Sequence, residues 1–189
     1  MPWMNIVLWV VLLLALYAAA AVAVVANRPG RHWLALPAVG LVAVAIVLAV
    51  FGAGHSAPGL GFLVAAGIGL LLLALVAGSP LVSLVLEFAS RGAVPVGNHG
   101  VVMVDVRGVA PVEREILRGG MTIGYLERLA VVGSAFAGQP AAIAVIVAIK
   151  GLGRFAELEN SAARERFIIG TMVSLIWAGA CAAPLVLSL

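Results

Sequence analysis

Charge is scarce in this chain. Only 10% of its 189 residues are Asp, Glu, Lys or Arg, while 64% are hydrophobic. Soluble domains run nearer a quarter charged and half apolar, so a soluble globule is excluded. Cysteine is almost missing as well. The single Cys181 rules out an intramolecular disulfide framework and a Cys-based zinc site, and within its apolar run it reads as a small hydrophobe. Histidine is equally sparse: His32, His55 and His99 lie in separate connections, never at i, i+4 on an apolar helix, which leaves haem or metal ligation without support. There is no Walker A pattern, no nucleophile elbow around Ser56 and no paired-aspartate cluster to hold magnesium. The expectation is therefore no cofactor, no metal and no catalytic residue, with a non-enzymatic role ahead of an enzymatic one.

What the chain has is long apolar runs, and a mean hydropathy of +1.21. Residues 5–26 form an uninterrupted run, and residues 33–51 and 60–77 form two more. At about 1.5 Å per residue each approaches or exceeds a hydrocarbon core of about 30 Å. Arg28 and Arg31 follow the first run and no basic residue precedes it, which favours a retained helix with its N-terminus outside over a signal peptide. Pro29-Gly30 breaks the chain there, and Pro37 falls in the first turn of the second span, where a missing N–H costs little. Gly61, Gly67 and Gly69 permit close helix approach in the third.

Ser79-Pro80 reads as an N-cap with a first-turn proline. Residues 81–90, with Ser83, Glu87 and Ser90 spaced along one face, then form a short interfacial helix; continuation of the third span past a kink is the alternative. Residues 91–118 are the one sizeable polar segment, a cytoplasmic loop with a candidate strand at 101–106 and a short helix at 111–118.

The remainder, 119–189, carries charge inside apolar sequence. Glu127, Arg128, Lys150 and Arg154 flank a break at Gly138-Gln139-Pro140, giving arms 122–137 and 141–155. Arg128 and Lys150 both lie eleven residues from Gln139, about 16 Å from the turn, so the arms present charge at one level. Glu127 is placed to pair with Lys150 or Arg154. Residues 167–187 form the last span, with Gly170, Ser174, Ala178 and Ala182 as a small-residue stripe that suits either packing within the chain or a homo-oligomer.

These elements predict an all-α, polytopic transmembrane bundle of six membrane helices, one pair of them a charged hairpin, plus the interfacial helix. The domains are 1–90, 91–118 and 119–189. With both termini outside, all 11 Lys and Arg fall in cytoplasmic connections or in the cytoplasm-leaning parts of the hairpin. Two other topologies stay open: residues 129–149 as one span, which puts Lys150, Arg154, Arg164 and Arg166 outside, and a re-entrant hairpin. Ten Arg to one Lys, with abundant Ala, Val and Gly, point to a high-GC bacterial genome, and with the apolar spans the expected location is a bacterial plasma membrane. A pI near 9.8 arises from basic residues flanking the spans, so nucleic acid is not expected as a partner.

A charge in place of lipid is costly and usually has a partner and a role. One reading of the cluster is a charge zipper between two short helices. The other uses its positive excess: Arg128, Lys150 and Arg154 hold an anionic group, a lipid phosphate or a small carboxylate, with Glu127 orienting them and Thr171 and Ser174 lining the site. A proton or ion relay through Glu127 is a third. The leading function is a transport-type or accessory membrane-complex subunit engaging an anionic ligand, lipid headgroup or partner, and the alternative is a membrane enzyme acting on a lipid or phosphate-bearing substrate.

The string Ile123-Gly124, Leu126-Glu127-Arg128, Gly138-Gln139, Ala142-Ile143, Lys150, Arg154-Phe155, Glu157-Leu158, Ile169-Gly170-Thr171 and Ser174 resembles the C-terminal module of an uncharacterised family of bacterial membrane proteins, a domain of unknown function. The resemblance covers about the last third of the chain. It implies no activity, but it implies that the charged cluster is one unit.

Overall fold

The computed structural model describes residues 2–51, 57–89, 120–153 and 161–188. The polar loop at 91–118, the candidate strand and helix within it, and Arg154 lie outside the described residues. All regular structure among those described is helical: α1 (Pro2–Ala26), a 3-10 turn (His32–Ala35), α2 (Leu36–Val50), α3 (Leu60–Ala89), α4 (Gly120–Phe136), α5 (Ala141–Gly153) and α6 (Ser161–Ser188). Four helical stretches are long and apolar enough to cross a membrane: Trp3–Ala26, His32–Val50, Leu60–Ala89 and Arg164–Ser188. α4 and α5, with 17 and 13 residues, are shorter.

The burial pattern fits lipid as the surrounding solvent. Leu14, Val24, Leu60 and Ile176 turn outward, while the interior is rich in small side chains, among them Ala20, Ala23, Ala38, Ala74, Ala77, Ala178 and Ala182. Lipid tails are as apolar as leucine, so helices associate in a bilayer through close packing, which small side chains allow.

α3 is the axis of the molecule, in contact with α1, α2, α4 and α6. It runs antiparallel to α6. A Cβ on Gly170 would lie 3.4 Å from Val82, the Trp177 indole N–H donates to the Leu73 carbonyl at 3.4 Å, and Leu185 lies opposite Gly67. α1 runs parallel to α3. Tyr17 donates its O–H to the Ala65 carbonyl at 2.9 Å, and a Cβ at Gly69 would sit only 2.5 Å from Leu16 Cδ2, so glycine is what lets these helices approach. Gly67 faces neighbours in the same way, whereas nothing lies within 4 Å of a Cβ at Gly61. The stripe Gly170, Ser174, Ala178 and Ala182 is used within the chain: the last three are buried, and Gly170 packs on Val82 and Leu86.

The short interfacial helix at 81–90 is not formed. α3 continues through Pro80 to Ala89, and Ser79 is an interior residue rather than an N-cap. The physical reason lies 53 positions upstream. Pro80 has no N–H to offer the carbonyl four residues back, that of Val76. The Asn27 side-chain amide supplies the donor at 3.0 Å, and it also donates to the Ala23 carbonyl at the end of α1, at 2.8 Å. Leu81, Val82 and Leu86 then pack on the bundle instead of leaving it, and Glu87 meets His32 Nε2 at 3.5 Å. His32 is thus in the 3-10 turn against α3 rather than in a free loop.

Replacing Asn27 with Ala leaves two inward carbonyls short of a donor, at a cost of about 1–3 kcal/mol. Pro80→Ala restores an N–H to Val76. We expect Asn27→Ala to cost measurably less in the Pro80→Ala background, which a double-mutant cycle of unfolding in detergent will read.

Candidate functional site

The break at 138–140 is a helix C-cap of defined chemistry. Gly138 takes φ +69°, the Gln139 N–H reaches the Ser134 carbonyl at 2.8 Å, and the Gly138 N–H reaches Ala135 at 3.1 Å. That pair of bonds is a Schellman motif, which needs a left-handed residue and so favours glycine. The apolar run at 129–149 is therefore two helices, α4 and α5, packed against each other.

Across this pair Lys150 Nζ donates to Glu127 Oε2. Both side chains are largely buried, and the ammonium also lies 5.8 Å from the centre of the Phe167 ring. Glu127 is thereby matched by Lys150.

Arg128 is not part of that pair. It points the other way, into the junction of α4 with α3 and α6, where it is 3% exposed. Its Nη2 donates to Ser79 Oγ at 3.0 Å and its Nη1 to Ser174 Oγ at 3.4 Å. The guanidinium carbon lies 5.2 Å from the centre of the Tyr125 ring, within the range where a cation is attracted to an aromatic face. Nε is buried without an acceptor, and Arg128 has no carboxylate partner among the described residues. A Cβ on Gly78 would stand 2.6 Å from Arg128 Cδ and 2.7 Å from Nη1, so the side chain lies directly on the bare backbone of α3.

Thr171, one turn before Ser174 on α6, is buried beside this junction, as is Ser174 itself. Ser134 and Ser188 donate their hydroxyls to carbonyls of their own helix, at 2.7 and 2.8 Å. Ser79 and Ser174 do not: each accepts from Arg128. Of the six residues expected to line one anion site, the structure brings Arg128 and Ser174 into contact, with Thr171 one turn away. It sets Glu127 and Lys150 aside as a pair on another face of α4, and Arg154 lies outside the described residues.

Two contributors went unrecognised in the sequence. Ser79 was masked by the proline after it, which suggested a cap. Gly78 carries no local signal at all, since its requirement comes from a side chain fifty positions away. No group of three or more His, Cys, Asp or Glu among the described residues is placed to hold a metal.

The class these features define is a polytopic helical membrane protein with an arginine buried among its helices. Compared with protein-family models, curated proteins and solved structures, the chain matches none.

Two expectations follow. Gly→Ala in a helix interior ordinarily gains about 0.5–1 kcal/mol. Gly78→Ala is expected to lose stability instead, and the loss should shrink in an Arg128→Ala background, read by unfolding in detergent. For Glu127→Gln and Lys150→Met, each single change strands a charge or its partner; breaking a fully buried pair costs about 3–5 kcal/mol, and less is expected here because both groups keep some exposure. The double variant should recover part of the sum of the two losses.

Proposed function

We propose that this protein is a transport-type or accessory subunit of a bacterial plasma membrane, in which Arg128 engages an anionic group. The observation that carries the reading is the guanidinium's environment: buried at a three-helix junction, hydrogen-bonded only to neutral hydroxyls, with Nε unmet and no carboxylate opposite it among the described residues. On insertion scales an arginine at a helix centre costs about 2.5–3.5 kcal/mol. Two serine contacts offset that only in part, whereas an anion brings a full opposite charge. Lys150, spent on Glu127, leaves this positive charge in place.

In this reading α4 and α5 enter and leave on the cytoplasmic side as a pair of membrane helices, completing six, with both termini outside. That orientation keeps all 11 Lys and Arg on the cytoplasmic side or on the cytoplasm-leaning parts of α4 and α5. The resemblance of the last third to a module of unknown function adds no activity to this reading. A charge zipper is the better account of Glu127 and Lys150 themselves, because their bond is satisfied within the chain. An enzyme acting on a lipid or phosphate-bearing substrate would need a general base to activate one of the hydroxyls beside Arg128, and the carboxylate next to it on α4, Glu127, is paired with Lys150.

Native mass spectrometry of the protein in lipid nanodiscs tests the proposal. The wild type is expected to carry a bound anion or anionic lipid that Arg128→Gln loses while remaining folded. Equal ligand content in both would remove Arg128 from the site.

A further inference from the structure

We infer that the Arg128 junction is a binding site for a small monovalent anion of halide size, rather than for a lipid headgroup. This rests on the anion-binding reading above and narrows it.

Depth is the first observation. Ser79 lies ten residues before the end of α3 at Ala89, and Ser174 ten residues after Arg164, where the apolar part of α6 begins. At about 1.5 Å per residue these contacts place the guanidinium about 15 Å inside the end of α3 and about 15 Å inside the start of the apolar part of α6. A bilayer is about 40–45 Å thick with headgroups and about 30 Å without. The headgroup layer on one side is thus only about 5–8 Å deep, and Arg128 lies beneath it. A lipid phosphate reaching this level would have to leave that layer and draw its chains between α3, α4 and α6. The contact of Arg128 with the backbone at Gly78 shows how closely α3 and α4 approach there.

Charge is the second. The site carries one positive charge, from Arg128, with no carboxylate among the described residues in contact with it. A monoanion neutralises it; a dianion would leave an unmatched negative charge in apolar surroundings, which is costly.

The donor set is the third. Arg128 Nε–H has no acceptor. The hydroxyls of Ser79 and Ser174 use their oxygens to accept from Arg128, which keeps each hydroxyl proton available as a donor. Thr171, also buried, continues the hydroxyls one turn toward the start of α6. Available donors, around one cation, are what a bare anion needs in exchange for its hydration shell.

The test uses the full chain in nanodiscs, with sodium bromide exchanged for sodium gluconate at constant ionic strength and unfolding followed by tryptophan fluorescence. Binding to the folded state raises the midpoint saturably with ligand concentration. We expect a rise of several degrees with bromide in the wild type, a bromide requirement at least tenfold higher in Ser79→Ala/Ser174→Ala, and no bromide dependence in Arg128→Gln. If Arg128→Gln fails to fold, the double serine variant carries the test, since it keeps the charge. A midpoint that ignores bromide, or follows it equally in the variants, overturns the inference. Should bromide be without effect while a phosphodiester lipid co-purifies with the wild type and is lost from Arg128→Gln, the halide site falls but the anion-binding proposal stands. If neither ligand depends on Arg128, both fall.

Discussion

One constraint organises this molecule: an arginine must be kept inside a bundle that lipid surrounds. In water the charge would be solvated at no structural cost. Between apolar helices every contact of the guanidinium has to be provided by the chain or by something bound to it. The surroundings of Arg128 follow from that demand. Gly78 is bare so that the side chain can lie on α3, Ser79 and Ser174 turn their hydroxyls to it instead of back-bonding to their own helices, and Tyr125 offers a ring face. Three helices are locked to each other through one side chain, so the cost of burying it is linked to the register of α3, α4 and α6.

The same logic explains why α3 tolerates a proline in its middle. A helix that loses one backbone bond in lipid has no water to fall back on, and the freed carbonyl must find a donor within the protein. Asn27 is that donor, placed at the end of α1 because α1 runs parallel to α3 and ends beside Val76. Pro80 and Asn27 therefore act as a pair, and their partnership sits immediately next to the Ser79 contact with Arg128. Polar contacts from α1 and α4 reach the segment between Val76 and Pro80, and α6 joins them through Ser174 on Arg128.

Much of the architecture was legible in the chain. Three apolar runs and the last one become the four helices of spanning length, because run length against bilayer thickness is a strong signal. Gly138 was legible as a cap because left-handed backbone and glycine go together. At Pro80 the structure takes the alternative, continuation of the third span to Ala89, over the interfacial helix at 81–90: a serine followed by proline is the signature of a helix start, and a distant asparagine overrides it. Gly78 was invisible for the same reason: its partner comes from another helix.

The merging of Glu127, Arg128 and Lys150 into one cluster is a different kind of error, and the remedy was in the sequence. Matching their distances from the turn places them at one depth, yet depth is only one coordinate. Neighbours at i and i+1 on a helix are about 100° apart and do not share a face. Glu127 and Arg128 must then look to different partners, and α4 lies between α5 on one side and α3 with α6 on another. The acid faces α5 and meets Lys150; the base faces inward and meets hydroxyls. That division concentrates an unmatched positive charge on the inner face of α4 while its outer face is neutral. A zipper alone would need only the outer pair. The inner charge adds insertion cost without adding an ion pair, and the anion-binding role proposed for Arg128 accounts for that cost where a zipper does not.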